Sequence, residues 1–498
     1  MEILGYLLSA WQFVVDNILT KPHFLIGIIV FIGYALQKRK WYESLAGFIK
    51  AAVGYLILTV GSGGLTSNFR PIIVGLKERF NLSAMVIDPY FGQNAVQEAM
   101  EKVGRSFGDV MILLLIAYII NILLVKMSRY TKLRAVFTTG NVQIQQSATA
   151  FWLLFFCFPE MGRWPILAVM SILLGLYWAV GSNLTVDITQ ELTEGAGFAV
   201  AHQQMFGIFA NAKIAEHFRK KNEAKGKHND RKIEDIKLPG WLSMFNENMV
   251  STAILMTTFF GIILLILGKD YLVQGEFLKA TDNFFFYVLE TSFYFAVYLA
   301  ILQLGVRTFV GELTESFSGI SDTFLPNAVP GVDIAAVFGF GSQNAVTLGF
   351  ISGAMGQFLA IILLIVFNSP TIVVAGFVPL FFDNAAIAVF ANNRGGAKYA
   401  IGLPFINGII QVCGSALIAT WVGLAGFGGY LGMTDWATLW PGFTVIMKFL
   451  GIIGIVVVAA ALIIIPQWQY RKDPEGYFLI VEDYDKYLEL KASRSNND

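Results

Sequence analysis

The chain has few of the residues that carry redox, metal or nucleophilic chemistry. Of 498 residues, two are cysteine and four are histidine. Cys157 and Cys413 stand alone in apolar runs. That excludes a disulfide framework or a thiolate metal site and leaves two small buried hydrophobes. Of the four histidines, His23 follows a proline at a span start, while His217 and His228 lie in a basic stretch; no metal cluster is expected. Charge is also scarce: 14% of residues, against roughly 25% in a soluble domain. The signs cancel to a net charge of zero, so nothing favours a nucleic-acid partner. No GxxxxGK[ST] phosphate loop occurs, and ATP-driven pumping by this chain is not expected. The start, MEILGYLLSAWQFVVDNILTKPHFLIG, has neither a basic leader nor a small-residue cleavage site, so no cleaved signal peptide is expected. Its first twenty residues look amphipathic and suited to the membrane interface.

What the chain does have is apolar length: 56% of residues are hydrophobic. Eleven strong segments stand out, near 23–37, 45–62, 109–126, 147–160, 164–181, 252–268, 284–303, 347–367, 371–392, 400–424 and 443–465. Stretches near twenty residues predict a polytopic, all-α membrane protein. Others, around 86–97, 138–146, 187–207 and 330–345, are apolar but punctuated by polar groups, as re-entrant pieces lining a cavity are. Lys/Arg clusters mark the cytoplasmic side. The strongest lies in 213–237, with nine Lys/Arg against five Asp/Glu. The pattern divides into a first membrane half (1–212), a cytoplasmic basic loop (213–240), a second half (241–466) and a cytoplasmic tail (467–498). The loop is either a solvated linker or a docking surface for a cytoplasmic partner.

The halves echo one another. LTSNFRPIIVG at 65–75 resembles LTESFSGISDT at 313–323, and FGQNAV at 91–96 returns as GSQNAV at 341–346. Asp88 and Asp333 precede the two QNAV motifs. AVGSNL at 179–184 echoes QVCGSAL at 411–417. Duplicated halves, often inverted, are a transporter plan with the substrate site at the repeat interface.

Ionisable groups in membrane segments are costly and mark function. The candidates are Asp88, Glu191, Glu194, His202, Arg307, Glu312, Glu315, Asp333 and Asp383. Each has a structural alternative: Arg307 can pair with Glu312 or Glu315, Glu191 and Glu194 can sit at an interface, and Asp383 can fix a helix break. The segment 137–152, FTTGNVQIQQSATAFW, adds Asn141, Gln143, Gln145 and Gln146; in a helix, 141 and 145 share a face. With His202, Gln203 and Gln204 these amides offer donors and acceptors together. That mixture suits a hydroxyl-rich ligand better than an ion path, which favours rings of one charge. His202 could also relay protons.

Five stretches resemble the ascorbate-specific permease (IIC) components of the bacterial phosphotransferase system: MEIL at the start, GSGGLTSNFRP at 61–71, GAGFAVAHQQ at 195–204, LPGWLSMFNENMVSTAILMTTFFG at 238–261, and the region from GELTESFSGIS to GVDIAA at 311–336. The resemblance implies eleven transmembrane helices in a homodimer of the inner (cytoplasmic) membrane. It implies a substrate-carrying core domain, a dimer-forming domain and elevator-like movement. It also implies L-ascorbate as substrate, phosphorylated on a cysteine-bearing IIB protein supplied by IIA, HPr and enzyme I. IIA and IIB would be separate polypeptides, so the phosphoryl chemistry lies outside this chain, and no cofactor is implied. Carried over position by position, the ligand contacts fall on Tyr90, Gln145, His202, Gln203 and Asp333, with Gln204 left to packing. Two further contact positions differ: Pro89 stands where the family has threonine, and Asn141 where it has histidine. A related pentitol, lactone or sugar acid, or an ion-coupled secondary transporter, is the alternative.

Overall fold

The structure is a computed structural model that describes residues 22–80, 83–226, 233–236, 239–325 and 328–495. The amphipathic first twenty residues and His228 lie outside these. Among the described residues, six helices are long and apolar enough to cross a membrane. They lie in α2 (Trp41–Phe80), α4 (Gly108–Lys126), α6 (Arg163–Thr193), α10 (Gln343–Val366), α12 (Ala397–Trp421) and α14 (Ile452–Lys472). α1 (Pro22–Leu36) and the start of α9 (Phe284–Phe324) are shorter apolar stretches. α2 and α9 run 40 and 41 residues. At 1.5 Å per residue each is roughly 60 Å long, about twice a bilayer's hydrocarbon core. With α1 and α8 (Asn248–Leu267) they pack on one another as one sector.

Among the described residues the remaining helices surround two small sheets, so the chain is mostly helical rather than all-α. β1 (Ser83–Ile87) lies between β5 (Thr371–Ala375) and β6 (Gly429–Tyr430). β4 (Val329–Val332) lies between β2 (Ala135–Phe137) and β3 (Ala199–Val200). Every pairing is parallel. The strands are short β-branched or small-residue runs such as SAMVI and TIVVA, too short for a helix to gain much. Pairing satisfies their backbone groups inside the protein. Each sheet takes its central strand from one half of the chain and both edges from the other. Moving every strand three places along the chain converts one sheet order into the other.

Two expected spans break. Segment 371–392 is β5, a π-helical turn at Pro379–Asp383, and α11 (Asn384–Gly395). The Asn384 side-chain amide supports the turn, donating to the carbonyls of Pro379 and Leu380 at 3.3 and 2.9 Å. Segment 443–465 divides into α13 (Leu439–Leu450) and α14 at Gly451, whose φ of +59° suits glycine alone. The stretch 147–160 lies mostly within α5 (Gly140–Cys157), which also carries the amides.

The basic loop begins as helix, not coil: α7 (Met205–Glu223) runs through residue 212. On it Glu216 binds Lys213 and Lys220 at 2.9 and 2.8 Å, near Arg394. Burial alone would raise the Glu216 carboxyl, but these cations hold it down at about 2. The tail also begins inside α14 and continues as α15 (Gly476–Glu482) and α16 (Tyr484–Ser495). A buried Arg134 clamps it, donating to Asp187 at 2.8 Å and to the Tyr477 carbonyl at 2.6 Å beneath the Tyr477 ring.

Candidate functional site

Parallel strands leave their C-terminal ends on one side, and at the ends of β2, β3 and β4 the chain is polar. β2 runs through Thr138 and Thr139 into α5, so Asn141 and Gln145 fall one turn apart at its start. Thr138 fixes this entry, its N–H and hydroxyl both donating to the Gly331 carbonyl of β4, at 3.0 and 2.7 Å. β3 runs directly into His202, Gln203 and Gln204. β4 runs into Asp333, which accepts from the Ala335 N–H at 2.9 Å. The sheet therefore brings together five of the seven predicted contacts: Asn141, Gln145, His202, Gln203 and Asp333.

Three of the five are buried: Gln145, His202 and Gln203 are 4%, 4% and 1% exposed. Gln203 donates to Gln145 Oε1 at 2.8 Å, and Gln146 to the His202 carbonyl at 3.2 Å. Gln146 accepts in turn from the Trp178 indole. Phe382 lies beside the His202 ring, with centroids 6.2 Å apart. His202 Nδ1 and Gln203 Oε1 are buried with no hydrogen-bond partner among the described residues. Native interiors rarely leave such atoms unpaired, so both have hydrogen-bonding capacity to offer a water or a ligand. Asn141 and Asp333 are only partly buried, at the open edge.

Pro89 and Tyr90 lie at the end of the other sheet, after β1. There Asp88 caps α3 (Pro89–Lys102), accepting from the Tyr90 N–H at 3.0 Å. Asp88 and Asp333 thus hold matching places, each after the central strand of its sheet and each capping the helical turn that follows. The broken segment links the two ends. Gly376 donates to the Ile87 carbonyl at 2.9 Å, and six residues on, Phe382 flanks His202 and accepts from the Gln204 amide at 3.1 Å. Gln204, expected only to pack, ties the site to this segment.

Of the other ionisable candidates, Glu312, Glu315, Glu191 and Asp383 are held by protein partners. Glu312 binds Lys50 at 3.1 Å and the Tyr34 hydroxyl at 2.7 Å. Glu315 binds Arg39 and the same hydroxyl. The Arg307 side chain is outside the described ones. Glu191 binds Arg394 and Lys491, and Glu194 is exposed. Asp383 does fix a helix break: it ends the π turn and accepts from the Thr434 N–H and hydroxyl, both at 2.7 Å, and from Gln411. Sequence reasoning missed Asp435, a fully buried carboxyl bound to Tyr177 and to the start of α7. The signal was there, an ionisable residue inside the apolar GMTDWATLW.

Two comparisons bear on this geometry. The family model described as the PTS system sugar-specific permease component matches residues 17–441. The ascorbate-specific PTS system EIIC component of Mycoplasma pneumoniae is 32% identical over 435 residues, 80% of this chain. The chain spans 64% of that relative's length.

Proposed function

Because this chain belongs to the sugar-specific permease components of the bacterial phosphotransferase system, we propose that it binds L-ascorbate at the ends of β2, β3 and β4 and carries it across the membrane. It is a multi-pass protein of the inner (cytoplasmic) membrane. The observation that carries the ascorbate assignment is the pair of unpartnered buried atoms, His202 Nδ1 and Gln203 Oε1, beside Gln145 and Asp333. Ascorbate presents an enediolate, a lactone carbonyl and two side-chain hydroxyls. His202 meets an enediol oxygen, donating or accepting as the proton requires. Gln145 and Gln203 take the lactone edge with one donor and one acceptor each. Asp333, at the open edge, accepts from the side-chain hydroxyls, and Asn141 offers an amide to either end. Tyr90, at the end of the other sheet, closes the ligand from the far side of the Phe382 segment.

Translocation is an elevator-like movement of the two-sheet sector against the long helices α2 and α9, within a homodimer formed on those helices. The two sheets, interconverted by a shift of three strands, support a duplication in which the second half is the inverted copy of the first. The ligand is phosphorylated on a separate IIB protein, itself supplied by IIA. No residue of this chain takes part in that bond change, and its own work is to bind, orient and deliver.

Uptake in cells lacking enzyme I tests the coupling. Accumulated product is phosphorylated in the parent and uptake is lost in the mutant. Persistent accumulation of unmodified ascorbate would show ion-coupled transport instead. A thermal-shift screen of the purified protein against ascorbate, pentitols and sugar acids tests the substrate. A strong shift from another compound with none from ascorbate would replace it.

A further inference from the structure

His202, Gln203 and Gln204 sit between two anchors. Upstream, the Ala201 N–H donates to the Val332 carbonyl at 2.8 Å, extending the β3–β4 ladder beside Asp333. Downstream, α7 begins at Met205. The first N–H groups of a helix have no intrahelical acceptor and need a cap. Gln204, at the cap position, supplies no side-chain hydrogen bond to them. Asp435 does so from the other half of the chain. Its Oδ2 accepts from the Phe206 N–H at 3.1 Å and its Oδ1 from the Gly207 N–H at 2.8 Å. The Tyr177 hydroxyl donates to Oδ2 at 2.7 Å and holds the carboxyl in place. Tyr177 itself stacks on Phe206, centroids 5.5 Å apart.

Gly207 gives independent support. A Cβ there would lie 2.6 Å from Thr434 Cγ2. A side chain at 207 would therefore push the first turn of α7 off the carboxyl. Thr434 in turn donates to Asp383, so the cap is braced against the broken segment whose Phe382 carbonyl holds Gln204.

We propose that Asp435 is a positioning residue for the ligand: by capping α7 it sets where His202 and Gln203 stand at the ends of the strands. Three residues separate the ladder from the helix, so a shift of the helix start is transmitted directly to them. Asp435 does not touch the ligand. The effect on affinity rests on the reading that His202 and Gln203 contact ascorbate; the effect on the backbone does not.

The test uses the purified full-length protein and two readouts, ascorbate affinity by calorimetry and amide hydrogen exchange over residues 201–207. The variants are Asp435→Asn, Tyr177→Phe and Gly207→Ala. The control is Asp109→Asn, which breaks a similarly buried carboxyl bonded to Arg163 away from the site. Asp435→Asn is expected to bind ascorbate about tenfold more weakly, the size of one lost charge-assisted hydrogen bond, and to exchange faster at 202–207. Gly207→Ala follows it, Tyr177→Phe shows a smaller change in the same sense, and Asp109→Asn loses thermal stability with both readouts unchanged. Unchanged exchange and affinity in folded Asp435→Asn, or equal losses in Asp109→Asn, would overturn the proposal. If Asp435→Asn does not fold, unchanged readouts in both Gly207→Ala and Tyr177→Phe overturn it instead. If the wild type does not bind ascorbate, the substrate assignment falls, while the exchange readout still decides the positioning role.

Discussion

Pro89 fills the first position of α3, where a backbone N–H has no intrahelical acceptor and proline is favoured. Against the threonine that the resemblance implies there, proline removes a hydroxyl and a backbone N–H but leaves the helix start intact. Pro89→Thr and Asn141→His are each expected to tighten ascorbate binding, measured by calorimetry against the wild type; weaker binding in both would point to a different ligand. Gln145→Ala works the other way. It strands the buried Gln203 amide, which should lower stability by about 1–3 kcal/mol, and it removes a proposed ligand contact, so affinity should also fall several-fold. His202, Gln203 and Gln145 were legible in the sequence because amides and histidine are out of place in apolar runs. Asp435 carried the same signal, a carboxylate inside GMTDWATLW, but its role lies in backbone groups of a helix in the other half, which no local pattern reveals.

At the scale of elements, five expected spans (45–62, 109–126, 164–181, 347–367 and 400–424) coincide with helices long and apolar enough to cross a membrane, while 371–392 and 443–465 break. The apolar run of 371–392 covers strand, π turn and helix, and composition alone does not separate a buried strand from a buried helix. The ambiguity resolves only when β1 and the residues bracing the turn are in place, among them Thr434, whose N–H holds Asp383. The charged end of α7 gives a pH prediction. The Glu216 carboxyl is held below its unfolded value of about 4.3. Its stabilising contribution is therefore complete above that value and is lost as pH falls through about 2. Wild type should melt higher than Glu216→Gln at neutral pH, with the gap closing between about pH 4 and pH 2; a gap constant over that range would refute the tie. Arg134 gives another test. Arg134→Ala removes the clamp on Tyr477, and protease should then cut within 473–495 faster than in wild type, with the membrane helices still protected.

At the scale of the molecule, the apolar segments and the matching places of Asp88 and Asp333 were visible in the sequence. The interleaving was not, because parallel pairing between distant segments leaves no periodic trace. Neither half can complete a sheet alone: β1 needs β5 and β6, and β4 needs β2 and β3. Residues 1–226 and 239–498 expressed separately should each fail to give a folded, detergent-stable protein, and co-expression should restore ascorbate binding. A stable, monodisperse isolated half would refute this. The same crossing sets a timetable for synthesis. β1 leaves the ribosome long before Thr371, the partner of Ser83, has been made. The first half must wait in the membrane with its strand edges open, and the last pairing, with β6, closes the two-sheet sector only after Gly429 and Tyr430 have been made.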